Sequence, residues 1–221
     1  MDLFARPDLP RERLWLWRVG YPVVRAIATA VLPVRLEGGE HVPARGAYIL
    51  VSNHIHWYDP PAIEFALRIP VRFMAKRELF AVPVIGFALR ASGKFPVRRG
   101  EGDRRALETA LSVLAAGQPV GFFPEGTRSK DLRLGRAKPG IAFLARRSGA
   151  PLLPVAVTGT RETGLRLPPS RDVVVHVGPP FTVADVGGGG LDDQALADRI
   201  MERVALLLPS HMRGVYGRGE P

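Results

Sequence analysis

The chain of 221 residues is long enough for one domain with its own hydrophobic core, and a second full domain is not expected. Apolar residues make up 46% of the sequence and charged residues 24%, which is typical of a folded globular protein rather than a disordered one. The absence of cysteine excludes disulfides, thiolate nucleophiles and cysteine-ligated metal sites. No basic stretch followed by an apolar segment and a small-residue cleavage site opens the chain, so we expect no secretory signal.

The net charge of +10 is concentrated in parts of the chain. From Arg68 to Arg105, ten lysines and arginines stand against three acids. A basic face of this kind could meet nucleic acid, anionic lipid or a phosphorylated small molecule. Aromatic residues are few and do not alternate with the basic ones, as stacking platforms for bases would. We therefore expect no nucleic-acid partner.

The longest apolar-rich segment spans residues 11–34 and is the one candidate for a membrane span. Arg18 and Arg25 lie inside it, and each costs about 2.5–3.5 kcal/mol at the centre of a bilayer. With Arg11 they recur every seven residues, which places them on one helical face. We predict that residues 1–34 form an amphipathic helix lying in a membrane surface, and that residues 35–221 form the domain. The alternative is a helix packed on the domain with its arginines in water.

Strand and helix patterns alternate along the rest of the chain, which predicts α/β architecture. Residues 79–89 are strongly apolar but interrupted by Pro83 and Gly86, and could be core or an exposed lip that meets acyl chains or membrane. Residues 187–190 are four glycines and predict a flexible linker. The predicted strands are 34–37, 47–51, 71–75, 94–98, 119–123, 152–157 and 173–177, and the predicted helices are 59–69, 103–116, 139–147 and 192–208.

A histidine and a carboxylate follow the second predicted strand. His54 comes just after an apolar run, Asp59 lies five residues later, and Pro60 and Pro61 then end the loop. A histidine with a nearby carboxylate can take a proton from a hydroxyl near neutral pH. The alternative is a loop histidine beside an aspartate that caps a helix.

Two further strand ends carry polar side chains. Arg98 and Arg99 end one strand, and a turn with Glu125, Thr127 and Arg128 ends another. In an open α/β sheet such ends converge on a crevice, and the forked donors of arginine suit phosphate. Taken singly, the first could be a solvated basic turn and the second a surface turn with an ion pair.

Together these stretches resemble the glycerolipid (lysophosphatidic acid) acyltransferases. The resemblance covers about residues 35–180 and implies a single α/β domain with a mostly parallel central sheet flanked by helices. Four blocks occur in the family's order: Asn53–Asp59, Gly93–Arg99, Phe123–Ser129 and Leu153–Gly159.

The resemblance also implies roles for individual residues. His54 would be the general base and Asp59 the carboxylate that orients and supports it. The acceptor hydroxyl would attack an acyl thioester directly, so no acyl-enzyme, cofactor or metal is expected. His56 would be a bystander. Substrate-binding roles are implied for the family's phosphate-binding arginine, its acceptor-binding block and a basic residue before a helix, which here are Arg99, Glu125, Gly126, Thr127, Arg128 and Lys138.

The activity implied is transfer of a fatty acyl group from acyl-CoA or acyl-carrier-protein to 1-acyl-sn-glycerol 3-phosphate, giving phosphatidic acid. The expected partners are this donor, the lysophospholipid acceptor and a membrane surface, with the protein peripheral or monotopic at the cytoplasmic face of the cell membrane. One alternative keeps the chemistry but uses another lysophospholipid or an acylated amino-acid lipid. Another is a catalytically inactive peripheral membrane-binding protein.

Overall fold

The protein is described by a computed structural model for residues 34–98, 103–161 and 173–217. The strands in these ranges are β1 (Val34–Glu37), β2 (Ile49–Ser52), β3 (Arg72–Lys76), β4 (Phe95–Val97), β5 (Val120–Phe122), β6 (Leu152–Thr158) and β7 (Val173–Val177). The α-helices are α1 (Asp59–Leu67), α2 (Pro83–Ala91), α3 (Arg104–Ala115), α4 (Gly140–Ser148) and α5 (Asp193–Ala205).

The strands form one sheet in the order β1-β7-β6-β2-β5-β3-β4. All neighbouring pairs are parallel except β6 and β7, which run antiparallel. Strands β2 to β6 therefore share one direction, and their carboxyl ends meet at the same edge of the sheet. That edge receives the residues that follow β2, β5 and β6. The prediction of a mostly parallel sheet flanked by helices is confirmed.

Both faces of the sheet are covered, as a parallel sheet requires. All four residues of β2 are buried, and their side chains alternate between two cores. Ile49 and Val51 pack with the apolar sides of α3, α4 and α5, whereas Leu50 packs with α1 through Ile63 and Leu67. Because β2 lies at the centre of the sheet between two packed layers, its carboxyl end is firmly positioned.

Two segments adopt structures that their composition alone does not predict. Residues 77–81 form a 3-10 helix that leads into α2, and this apolar stretch is largely exposed rather than part of the core. The glycine run contains a 3-10 turn, Gly188–Gly190, so the prediction of a flexible linker is wrong for these residues. Gly188 is buried there, and a Cβ at this position would come within 2.7 Å of the Leu196 and Val183 side chains. Glycine is therefore required at position 188 by close packing rather than by a need for chain flexibility.

The N-terminal amphipathic helix was predicted for residues 1–34. Residues 1–33 lie outside the described residues, so the helix stays a prediction, and Val34 begins β1. Across the ranges the structure does describe, no helix is both long and apolar enough to cross a membrane.

Candidate active site

The chain leaves β2 through a residue that extends the sheet with its side chain. The Asn53 amide donates to the Val157 carbonyl at 2.9 Å and accepts from the Val157 N–H at 2.8 Å. Asn53 thus imitates one more residue of the β2–β6 pairing. On the other side, the Ser129 N–H donates to the His54 carbonyl at 2.7 Å. The backbone of His54 is therefore fixed from two directions at the edge of the sheet.

Asp59 is fully buried and gathers four hydrogen-bond donors. Its Oδ2 lies 2.8 Å from His54 Nδ1 and accepts the backbone N–H groups of Ile55 at 2.7 Å and His56 at 2.8 Å. Its Oδ1 accepts the hydroxyl of Thr160 at 2.5 Å. A carboxylate only accepts, so its contact with His54 requires the proton on Nδ1. In the neutral imidazole the free lone pair is then on Nε2, the nitrogen that can accept a further proton.

The imidazole of His54 lies on an aromatic stack. Its ring centroid is 4.2 Å from that of Phe123 with 21° between the planes, and Phe123 in turn lies 5.3 Å from Phe73 at 15°. Gly121 makes room for this stack, since a Cβ there would fall 2.1 Å from the Phe73 ring. The stack fixes the plane of the imidazole, and its π face favours a positively charged ring over it.

Glu125 is buried and connects the turn after β5 to the backbone of His54. Its Oε1 accepts the His54 N–H and its Oε2 accepts the Gly135 N–H, each at 2.9 Å. Burial raises the pKa of Glu125 to about 7 and outweighs these two backbone donors, which act in the opposite direction. Both carboxyl oxygens are therefore engaged inside the protein, where one of them holds the backbone of His54 in position.

The other predicted substrate-binding residues lie around this centre. Gly126 has φ +71°, a backbone conformation that favours glycine, and it lies close to the Lys138 side chain, since a Cβ there would lie 3.1 Å from Lys138 Nζ. Lys138 is exposed and is tied to the turn through its backbone N–H, which donates to the Pro124 carbonyl at 2.9 Å. Thr127 and Arg128 are also exposed at the turn. Arg99 lies outside the described residues, and its predicted role is untested.

The second histidine of the loop differs from the first. His56 is half-buried, and its Nδ1 has no hydrogen-bond partner among the residues that the structure describes. Burial lowers the pKa of His56 and outweighs the charge of Asp59, which acts in the opposite direction. The Nδ1 of His56 thus lacks the hydrogen bond to a carboxylate that His54 makes.

A cavity of 280 Å³ opens beside His54 between the ends of β3, β4 and β5 and the start of α3. Lys138 and Arg98 supply basic side chains to it, but most of the wall is apolar. In the described ranges, no three His, Asp or Glu side chains gather as metal ligands would. The apolar part of the wall includes Met74, Val97, Ala106, Leu107, Phe122 and Phe123.

Three residues of the site were not among the predicted site residues. Asn53 and Phe123 lie inside two of the sequence blocks that carry the family resemblance. The sequence therefore indicated that both residues are near the site, but not which atoms they contact. Thr160 is 101 residues from Asp59 in the chain, and only the parallel pairing of β6 with β2 brings the two together.

The family model described as Acyltransferase matches residues 33–158. A chloroplastic 1-acyl-sn-glycerol-3-phosphate acyltransferase of Brassica napus is 30% identical over 173 residues, which are 77% of this chain and 49% of that protein. A lyso-ornithine lipid O-acyltransferase of Pseudomonas aeruginosa is 29% identical over 153 residues, 69% of this chain and 56% of that protein. The chain thus spans about half the length of these relatives. The crystal structure of the 1-acyl-sn-glycerophosphate acyltransferase PlsC from Thermotoga maritima superposes with a TM-score of 0.67 at 25% identity, covering 91% of this chain and 82% of that one.

Proposed function

Because the chain belongs to the Acyltransferase family, we propose that it transfers a fatty acyl group from a thioester donor to the free hydroxyl of 1-acyl-sn-glycerol 3-phosphate, giving phosphatidic acid. The donor is acyl-CoA or acyl-carrier-protein, and the protein works at the cytoplasmic face of the membrane without crossing it. The observation that carries the proposal is the buried contact of 2.8 Å between His54 Nδ1 and Asp59 Oδ2 beside an apolar cavity.

In the proposed reaction His54 Nε2 takes the proton of the acceptor hydroxyl while that oxygen attacks the thioester carbonyl. The new C–O bond forms, the C–S bond breaks, and the imidazolium returns its proton to the departing thiolate. Asp59 stabilises the imidazolium, as a carboxylate does for a catalytic histidine. The Phe123 ring beneath it favours the same charged state. The step needs no covalent acyl-enzyme.

The two substrates share an apolar chain and phosphate groups, and the surroundings of His54 suit both. The apolar walls of the cavity can take an acyl chain. Lys138 and Arg98 on the cavity wall, with Arg128 on the adjoining turn, offer cations for phosphate. Arg99 is proposed to add a further phosphate contact.

A second candidate keeps the chemistry and changes the acceptor to an acylated amino-acid lipid. The Pseudomonas aeruginosa relative favours it, since its name specifies lyso-ornithine lipid. A panel of lyso-acceptors with acyl-CoA or acyl-carrier-protein, analysed by product mass, separates the two. Turnover of lysophosphatidic acid well above lyso-ornithine lipid supports the first proposal, and the reverse order replaces it with the second.

The role of His54 is tested with the preferred acceptor. His54→Ala should lower kcat by about 10²–10⁴-fold, which is what general base catalysis typically contributes. His56→Ala is the matched control and should stay near the wild-type rate, since the Nδ1 of His56 makes no hydrogen bond to Asp59. An undiminished rate in His54→Ala would remove the proposed base.

A further inference from the structure

Helix α2 and the 3-10 turn before it turn their apolar side chains outward. Of the nine residues of α2, Gly86 alone is buried. Four apolar side chains form what we call the apolar ridge, with exposed fractions of 39% for Leu79, 43% for Val82, 81% for Val84 and 45% for Ile85. Single exposed apolar residues are ordinary on protein surfaces, but a contiguous group marks an interaction surface.

The apolar ridge is positioned by contacts between α2 and the 3-10 turn before it. A Cβ on Gly86 would fall 2.3 Å from the Phe80 carbonyl oxygen, so α2 lies directly on the preceding turn only because this residue is glycine. The Arg90 guanidinium donates to the same carbonyl at 3.1 Å and lies 5.9 Å from the centroid of the Phe80 ring. The outward direction of the apolar side chains is therefore built into the fold.

The apolar ridge lies at the edge of the sheet that carries His54. Strand β3 ends at Lys76 and the turn begins at Arg77, so the ridge starts from the carboxyl end of the strand between β5 and the edge strand β4. The strands on either side of it in sequence, β3 and β4, supply Met74 and Val97 to the wall of the cavity beside His54. The ridge and the cavity wall are thus formed by adjoining parts of the chain, so an apolar molecule on the ridge would lie close to the cavity.

Charge indicates which partner the apolar ridge meets. Residues 76–98 carry five lysines and arginines against one acid, Glu78, and Lys76, Arg77 and Arg90 are exposed. The pair between Lys76 and Glu78 spans 3.6 Å in the open and contributes little. A second copy of this chain would bring the same positive charges together, and residues 1–33 carry five arginines against three acids. An anionic lipid surface offers both apolar depth and opposite charge.

We propose that the apolar ridge docks the domain onto an anionic membrane surface, with α2 in the headgroup region and the cavity mouth towards the lipid. Docking does not depend on the enzyme's activity. The delivery of a lysolipid acceptor along the ridge to His54 rests on the proposed function.

The test measures flotation of the full-length protein with vesicles of phosphatidylcholine, with and without phosphatidylglycerol. Val84→Asp combined with Ile85→Asp should lower partitioning into the anionic vesicles by about tenfold or more, because two apolar contacts are lost and two negative charges gained. Leu206→Asp is the matched control, since Leu206 is 66% exposed and lies outside the ridge. It should bind like the wild type.

Other results would overturn the proposal. Equal binding by the double variant and the control would do so. If residues 1–33 cover the ridge, the double variant should lose stability to urea while its vesicle binding stays unchanged. If a second copy covers it, gel filtration should show a dimer that the double variant dissociates, again with unchanged vesicle binding.

Acyl transfer distinguishes a failure of docking from a failure of the proposed function. With acceptor dispersed in detergent, the double variant should match the wild type, whereas with acceptor in vesicles it should be slower. If the wild type transfers no acyl group under either condition, the proposed function fails, and the flotation result still decides docking.

Discussion

Replacing Thr160 with valine tests whether the carboxylate that supports His54 needs its distant fourth donor. Thr160 is fully buried, and its hydroxyl donates to Asp59 Oδ1 at 2.5 Å. Valine has nearly the same shape but cannot donate, so Asp59 keeps its buried position and loses one partner. A hydrogen bond to a charged group contributes about 1.5–3 kcal/mol. If that loss falls wholly on the transition state, kcat drops about ten- to a hundredfold.

The assay compares kcat, KM and urea unfolding for Thr160→Val, Thr160→Ser and Thr158→Val. Serine retains the hydroxyl and should recover most of the rate. Thr158 ends β6, two residues before Thr160, and is partly exposed, so its valine variant controls for a change of this kind nearby. A structural role alone would lower stability and leave kcat per folded molecule unchanged. Wild-type kcat in Thr160→Val, or equal impairment in Thr160→Ser, would refute the reasoning.

Two further predictions concern Glu125 and Gly121. Burial raises the pKa of Glu125 from 4.5 to about 7, so the folded state holds this proton more tightly than the unfolded state. The free energy of unfolding should therefore fall as pH rises from about 4.5 to 7, by up to about 3 kcal/mol from this group. In Glu125→Gln this component should be missing from urea titrations over the same pH range, and parallel profiles for both proteins would contradict it. Gly121→Ala should destabilise the protein by about 1–3 kcal/mol, since the new methyl group overlaps the Phe73 ring, and an unchanged urea midpoint would show that the aromatic stack can yield.

Much of the sheet could be predicted from the sequence because β2, β6 and β7 are largely apolar runs. The predicted bounds of β1 and β7 agree with the structure, and β2 begins two residues later than predicted and ends one later. Such runs are what a strand buried on both faces requires, so composition alone is sufficient to find them. Whether the segment that forms α2 is buried or exposed could not be predicted, because an apolar stretch has the same composition whether it faces a core or a membrane.

The sequence identified the residues at the centre of the candidate site, but it did not predict most of the contacts between them. His54 and Asp59 are neighbours in sequence, so their pairing could be expected. The contact from Thr160, and the stack of His54 on Phe123 and Phe73, depend on which strands lie side by side, and a single sequence does not state that order. Glu125 was predicted as part of an acceptor-binding block, and its hydrogen bonds to two backbone groups could be found only from coordinates.

The single antiparallel pairing in the sheet determines where the first part of the chain joins the domain. Because β7 runs against β6, and β1 runs with β7, β1 begins at the edge where the central strands end. The register agrees, since Val34 pairs with Val173, next to the end of β6 at Thr158. The peptide bond before Val34 thus lies on the same edge as His54. An affinity tag or fluorescent protein fused in place of the preceding residues would therefore be tethered at this edge of the sheet, three strands away from β2.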